Sequence, residues 1–228
     1  MRESVALFLF DLDAALPPGA ADWLSDAERA RAQRFATAAL RQRFVTGRAT
    51  LRRLLAERTG DTPDRVPIED DDDGKPRLAN GRLAFNLSHA SNQALLAIGP
   101  AGLALGVDIE GIAGVSDVEA LVTICLSPDE QASFAYFRDE ATRRENFLRL
   151  WVRKEACLKA IGQGLRIEPA EFGVGFPPPG ADRPARIRDV DLRVSDIDPG
   201  VPGFAAAIAV VGADPMPPLA PPARLPSG

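Results

Sequence analysis

Apolar residues recur along this chain with two spacings, near two and near three to four residues, and the switches between them mark its elements. The apolar run from Val5 to Phe10, closed by Asp11 and Asp13, predicts a first strand. Ser25 and Asp26, with Glu28 close behind, read as a helix start, and only Gly47 interrupts a stretch free of Gly and Pro that runs to about Glu57. One or two helices are expected there. Leu40, Phe44, Leu51, Leu54 and Leu55 form its apolar stripe, while Arg34, Arg41 and Arg48 fall seven apart on another face and could make a phosphate-facing row. Residues 59–82, rich in Asp, Pro, Gly and Asn, read as loop. Leu83 to Leu87, Ala94 to Ile98 and Leu103 to Ile109 are short apolar or alternating runs separated by turn signals, and predict adjacent antiparallel strands. A second helical stretch spans about Asp117 to Ile161, broken near Ser127-Pro128, where Ser127 and Glu130 have the spacing of a capping box. Strand-like segments return at Phe172 to Phe176, Ala185 to Val194 and Phe204 to Val211, and the Pro-rich stretch from Asp214 to Gly228 reads as disordered.

Strand, helix and strands followed by helix and strands again is the order of an α+β protein built from two related halves. The expected bounds are residues 1–103, residues 104–212 and a tail at 213–228. With 228 residues, 46% of them hydrophobic and 26% charged, the chain has an ordinary globular composition, and no apolar run reaches the roughly 18 residues that span a bilayer. The N-terminal apolar run carries acids and fails as a signal peptide, and Cys125 and Cys157 lack metal-ligand spacing, so a reduced, cytoplasmic protein is expected. A net charge of −5 argues against nucleic acid as a partner. The charge is uneven: Arg is dense between Arg29 and Arg58, and Glu69 to Asp73 is an unbroken acidic run.

Candidate chemistry starts in Leu105 to Glu110, where the two-residue period of a strand puts Asp108 and Glu110 on one face, about 6.6 Å apart. Two acids facing water and two oxygen ligands for a hard cation both fit that pattern. In the helical segment from Phe147 to Ile161, Glu155 and Lys159 are four apart at the border of a stripe made by Phe147, Leu150, Trp151, Leu158 and Ile161, and Gly162 and Gly164 end the helix. An exposed ion pair is the plain reading of that spacing, worth about 0.3–0.5 kcal/mol. His89, the sole histidine, ends a strand beside Ser88, and Gly74-Lys75-Pro76 is a turn that presents a cation.

Taken in order, Gly74-Lys75-Pro76, Phe85-Asn86-Leu87-Ser88-His89, Gly106-Val107-Asp108-Ile109-Glu110, Trp151-Val152-Arg153-Lys154-Glu155-Ala156-Cys157-Leu158-Lys159 and Gly162-Gln163-Gly164-Leu165 resemble the motifs of the 4′-phosphopantetheinyl transferases. The resemblance covers roughly residues 20–175, and the chain length is similar to that of the larger, surfactin-type branch, in which one chain forms a pseudo-dimer. What it implies is transfer of the phosphopantetheine arm of coenzyme A to a serine of an apo acyl or peptidyl carrier protein, by a monomer that needs neither membrane nor nucleic acid. It further implies magnesium, replaceable by manganese, on Asp108, Glu110 and Glu155, with Glu155 as ligand, as the base directly or through a water, or as both, and Lys159 stabilising the leaving phosphate. Lys75 and Pro76 would meet adenine and phosphate, Ser88 and His89 the phosphates, and Arg31, Arg43 and Arg48 are candidates for the 3′-phosphate. Ala90 stands where the family often has Ser. Two other readings stand beside this one: a metal-dependent nuclease, disfavoured because Glu155 and Lys159 share a helix, and a non-catalytic coenzyme A or carrier-binding protein.

Overall fold

The structure is a computed structural model describing residues 4–71, 74–115, 117–162, 166–176, 180–213 and 215–225. Gln163, Gly164 and Leu165 of the last motif, Asp72 and Asp73 of the acidic run, and the chain's first three residues lie outside the described residues.

The first half runs β1 (Ala6–Asp11), α1 (Asp26–Ala32), α2 (Ala38–Thr59), β2 (Ile68–Asp70), β3 (Pro76–Leu78), β4 (Leu83–Ala90) and β5 (Gln93–Pro100). The second runs β6 (Leu105–Gly111), α3 (Val118–Cys125), α4 (Pro128–Phe134), α5 (Glu140–Ile161), β7 (Arg183–Ile187), β8 (Val190–Ile197) and β9 (Phe204–Val211), with β10 (Ala223–Arg224) beyond it. α2 and α5 are both 22 residues long, each opened by a side-chain cap, Thr37 or Asp139, and each closed by a left-handed glycine, Gly60 or Gly162. Ser25 with Glu28 and Ser127 with Glu130 form the expected capping boxes of α1 and α4.

The strands make two four-stranded sheets, ordered β10-β1-β5-β4 and β6-β9-β8-β7. Alternation along each strand decides what each face covers. On β1, Phe8 and Phe10 pack with Leu51, Leu54 and Leu55 of α2, while Leu7 and Leu9 join Val107 and Ile109 of β6 and Ile208 and Val210 of β9 in a core between the sheets. The far face of β9, through Ala205, Ala207 and Ala209, packs on α5 with Leu150, Ala156 and Cys157. The result is four layers, helix, sheet, sheet, helix, and an α+β fold in two halves. Each fully buried Leu or Ile in the middle layer stabilises this stack by about 1.5–3 kcal/mol.

Several expectations are corrected. Residues 59–82 are not all loop, since β2 and β3 pair as a short hairpin with Asp70 opposite Pro76. Phe172 to Phe176 is not a strand, because the backbone N–H groups of Val174 and Gly175 donate to the Glu130 carboxylate and leave no ladder to join. Ala185 to Val194 is the hairpin of β7 and β8, turned at Arg188, whose φ is 53°. The second helical stretch breaks twice, after Cys125 and again before Asp139 caps α5. The tail is not disordered over its described part: β10 pairs in parallel with β1, Leu219 bridges Val5, and Leu225 packs against the α2 layer. Among the described residues, no helix is long and apolar enough to cross a membrane.

Candidate active site

β4 is the edge of one sheet and β6 the edge of the other, and polar side chains knit the two edges together. Asn86 Oδ1 accepts from the Val107 N–H at 2.8 Å, and the Ser88 hydroxyl donates to Asp108 Oδ1 at 2.8 Å. Gly106 then lets β6 lie directly on α5. A Cβ there would stand 2.2 Å from the Ala156 carbonyl oxygen and 2.4 Å from the Ala160 nitrogen, so no side chain fits. That close approach brings Lys159 Nζ to 2.6 Å from Asp108 Oδ1 and 2.9 Å from Ser88 Oγ. The rotation of α5 is fixed from its other side. Arg153, 1% exposed, is gripped by Asp196 of β8, and the buried Lys154 donates to Glu130 and to the Pro169 and Phe172 carbonyls. The Glu130 carboxyl sits below its ordinary value, because Lys154 and backbone N–H groups outweigh the burial that would push it up.

Three acids face this junction. Asp108 is 2% exposed, and its Oδ2 is buried with no hydrogen-bond partner. Glu110 and Glu155 are half-buried. Burial pushes the carboxyls of all three up, and the negative charge of Asp108 pushes Glu110 and Glu155 further in the same direction. The positive charge of Lys159 offsets part of this at all three acids, and its ion pair is with Asp108. Among the described residues, no three His, Cys, Asp or Glu side chains are already gathered as a coordinating group. The donor chemistry nevertheless suits a hard divalent cation: oxygen ligands, excess negative charge and an orphaned carboxylate oxygen. Lys75 Nζ donates to the Lys159 carbonyl oxygen at 2.7 Å, and burial pushes its ammonium down.

Beside this cluster lies a cavity of about 590 Å³, with Arg31, Arg43, Phe44, Arg48, Pro76 and His89 in its wall. Two pairs of sequence neighbours join it to the acids. Lys75 and Ser88 reach Lys159, while Pro76 and His89, the next residue in each case, line the cavity. Ser88 and His89 therefore do not act side by side, since strand alternation turns the serine inward and the histidine outward. The expected row of Arg34, Arg41 and Arg48 does not form, because Arg34 lies past the end of α1, outside α2, and neither Arg34 nor Arg41 lines the cavity.

The three cavity arginines are held differently. Arg43 is clamped by Asp13 at 2.6 and 2.7 Å and donates to the Ser91 carbonyl at 3.2 Å. Arg31 and Arg48 both stand over the Phe44 ring, at 5.4 and 5.7 Å from its centroid, and share the Asp70 carboxylate at 3.5 Å each. Arg48 is buried, its Nη1 has no partner, and loss of solvent pushes its guanidinium down. Asn86, Gly106 and Lys154 stand in the sequence motifs, Glu130 in the expected capping box and Asp70 in the acidic run, but sequence reasoning gave none of them the supporting role at the site that the structure shows. Only Gly106 carried a usable signal, since a glycine inside a strand marks close backbone approach.

The chain matches two family models in succession: "4'-phosphopantetheinyl transferase, N-terminal" over residues 18–100, and "4'-phosphopantetheinyl transferase superfamily" over residues 104–208. It is 37% identical over 156 residues to the 4'-phosphopantetheinyl transferase HetI of Nostoc sp., a match covering 66% of this chain and 65% of the relative. It is 32% identical over 155 residues to the phosphopantetheinyl transferase of Thraustochytrium sp., covering 62% of this chain and 54% of the relative. The mouse L-aminoadipate-semialdehyde dehydrogenase-phosphopantetheinyl transferase is 30% identical over 168 residues, covering 66% and 54%. The chain thus spans less than two thirds of the length of these relatives. With consecutive family matches over both halves and relatives of the same kind in bacteria and animals, the chain belongs to the 4'-phosphopantetheinyl transferase superfamily.

Proposed function

We propose that this chain transfers the 4′-phosphopantetheine arm of coenzyme A to a serine hydroxyl of an apo acyl or peptidyl carrier protein, releasing adenosine 3′,5′-bisphosphate. The observation that carries the reading is the shared border between the acid and lysine cluster and the arginine-lined cavity, made by Lys75-Pro76 and Ser88-His89. A nucleotide bound in the cavity would present its diphosphate at that border.

The serine oxygen bonds to the β-phosphorus as the bond from that phosphorus to the bridging oxygen breaks, and the bridging oxygen leaves with the nucleotide. Glu155 takes the serine proton, a role helped by the burial and the neighbouring Asp108 charge that raise its affinity for one. Lys159 lies against Asp108 and Ser88, where its ammonium can offset charge gathering on the leaving phosphate. Ser88 holds Asp108 through Oδ1, and the unpartnered Oδ2 is the oxygen that a metal would find available. Asp108, Glu110 and Glu155 would hold magnesium or manganese, which when bound neutralises the diphosphate and orients it. Lys75, Pro76 and His89, with Arg31 and Arg48, would seat the adenosine and its phosphates.

Two halves in one chain support the larger, single-chain branch, surfactin-type in organisation, and the match over residues 18–100 supports kinship with the aminoadipate type as well. We read the chain as a cytoplasmic monomer acting on fatty-acid, polyketide or nonribosomal-peptide carriers; its two free, buried cysteines accord with a reducing compartment. The test is incubation with coenzyme A, magnesium and several apo carriers, followed by intact mass. The carrier gains the mass of phosphopantetheine, and Asp108→Asn and Glu155→Ala each cut the rate by about a hundredfold or more, as expected for groups working at the reacting phosphate. Binding of coenzyme A with no mass gain on any carrier would reduce the chain to a non-catalytic binder.

A further inference from the structure

Asp70 ends β2 and lies opposite Pro76 across the hairpin, and from behind the cavity lining it reaches two of the arginines in the wall, Arg31 and Arg48. Its two oxygens are divided between two cations. Oδ2 stands 3.5 Å from Arg31 Nη1, and Oδ1 stands 3.5 Å from Arg48 Nη2. Both distances exceed the 2.7–2.9 Å or so of a strong charge-assisted hydrogen bond. Asp70 is also 44% exposed at its side chain, so water and salt weaken both contacts. Arg48 is the opposite case, at 9%, with Glu28 3.9 Å away as its other acidic neighbour and Nη1 unpartnered. A guanidinium so poorly hydrated needs an anion beside it, and Asp70 supplies one that is loosely held. The Asp13 clamp on Arg43 shows what a committed pair looks like in the same wall, with both carboxylate oxygens at 2.6–2.7 Å.

We propose that Asp70 is an internal anion that competes with the ligand phosphate for Arg31 and Arg48, so that binding exchanges a carboxylate of this chain for a phosphate. The inference rests on the reading that this cavity receives a phosphate of coenzyme A. The exchange favours the phosphate, which carries more charge than a carboxylate and one more acceptor oxygen. It also sets a threshold. A ligand whose anion is no stronger than a carboxylate gains little by displacing Asp70, so the residue holds affinity below what two free arginines would give and reserves the seat for phosphate. Arg43, already clamped by Asp13 and bonded to the Ser91 carbonyl, shapes the wall and does not take part in the exchange.

The experiment is calorimetric titration of the full chain with adenosine 3′,5′-bisphosphate and with coenzyme A, at low and high salt and without carrier, for the unchanged protein, Asp70→Asn and Glu69→Gln. Glu69 makes the same change of charge one residue away, but its partner is Arg77, at 2.6 Å, which is not one of the cavity arginines. Asp70→Asn tightens both nucleotides by about three- to tenfold at low salt, the range that two partly exposed ion pairs are worth. The gain shrinks at high salt, and Glu69→Gln stays within about twofold of the unchanged protein. Equal or weaker binding by Asp70→Asn overturns the inference, as does equal tightening by Glu69→Gln, which would mark a general charge effect. Asp70→Ser, with melting temperatures for every variant, guards against misfolding of the asparagine form. If the unchanged, folded protein binds neither nucleotide, the proposed function itself fails and takes this inference with it.

Discussion

At the residue scale the site is a set of charges held out of balance. Asp108, Glu110 and Glu155 share one region; burial raises the proton affinity of all three, and the charge of Asp108 adds to the rise at Glu110 and Glu155. A carboxyl whose folded value is raised costs stability at every pH above that value, and the cost is relieved as pH falls through it toward the unfolded value. Glu155→Gln removes that cost. At neutral pH the variant melts a few degrees higher than the parent while losing transfer, and the difference fades as the pH is lowered into the carboxylate range. Added magnesium raises the melting temperature of the parent and leaves that of Glu155→Gln nearly unchanged, because only the parent keeps all three acids. Scanning calorimetry across pH, with and without the cation, checks both statements; a less stable Gln variant would mean that the carboxylate serves the fold. From sequence, the spacing of Asp108, Glu110, Glu155 and Lys159 was legible because strand and helix periods are fixed by backbone geometry. The bond from Ser88 to Asp108, which joins two sheets, and the shared Asp70 were not, since each joins segments that no local pattern relates.

At the element scale, the contact that makes the site is β6 against α5. The β4–β5 hairpin and β9 were legible as short apolar runs bounded by turn signals, as in Ser91-Asn92 with Ser91 at a φ of 54°, and the long helices as helical stretches, but their starts at the Thr37 and Asp139 caps were not. Phe172 to Phe176 was misread for a physical reason: its apolar spacing suits a strand, but Glu130, a distant residue, takes its backbone donors. Gly106 is where the element contact can be tested. Gly106→Ala forces a methyl group against the Ala156 carbonyl and the Ala160 nitrogen, both backbone atoms that cannot swing aside. α5 must shift away from β6, at a cost of about 1–3 kcal/mol for an overpacked contact. Lys159 and Glu155 move with the helix, so transfer falls by about a hundredfold, the penalty of a misplacement near 1 Å. A rate within threefold of the parent would show that β6 and α5 can separate without disturbing the reacting groups.

At the scale of the whole molecule, each half contributes an edge strand, β4 or β6, and the site lies where those edges meet. The duplication was readable from element order, whereas the face-to-face stacking of the sheets was not, because β1 is apolar on both faces and its alternation does not say which one meets the other sheet. The tail belongs to the same arithmetic. Its described part lies along β1, and the order β10-β1-β5-β4 puts it at the far edge of its sheet from β4. Tail and site are thus separated by the width of a sheet, and their roles should separate too. Ending the chain after Ala213 uncovers the parts of β1 and of the two cores on which Leu219 and Leu225 pack, a loss of about 2–3 kcal/mol. For a chain of this length that lowers the melting temperature by roughly 5–10 °C. The bare strand edge also promotes association, visible as concentration-dependent light scattering. Below its own melting temperature, the truncated protein transfers phosphopantetheine at a rate within about twofold of the parent, since no group at the β4–β6 junction has moved. A rate loss larger than the loss of folded protein would mean that the far edge controls how β4 and β6 meet, and that the four layers respond as one body.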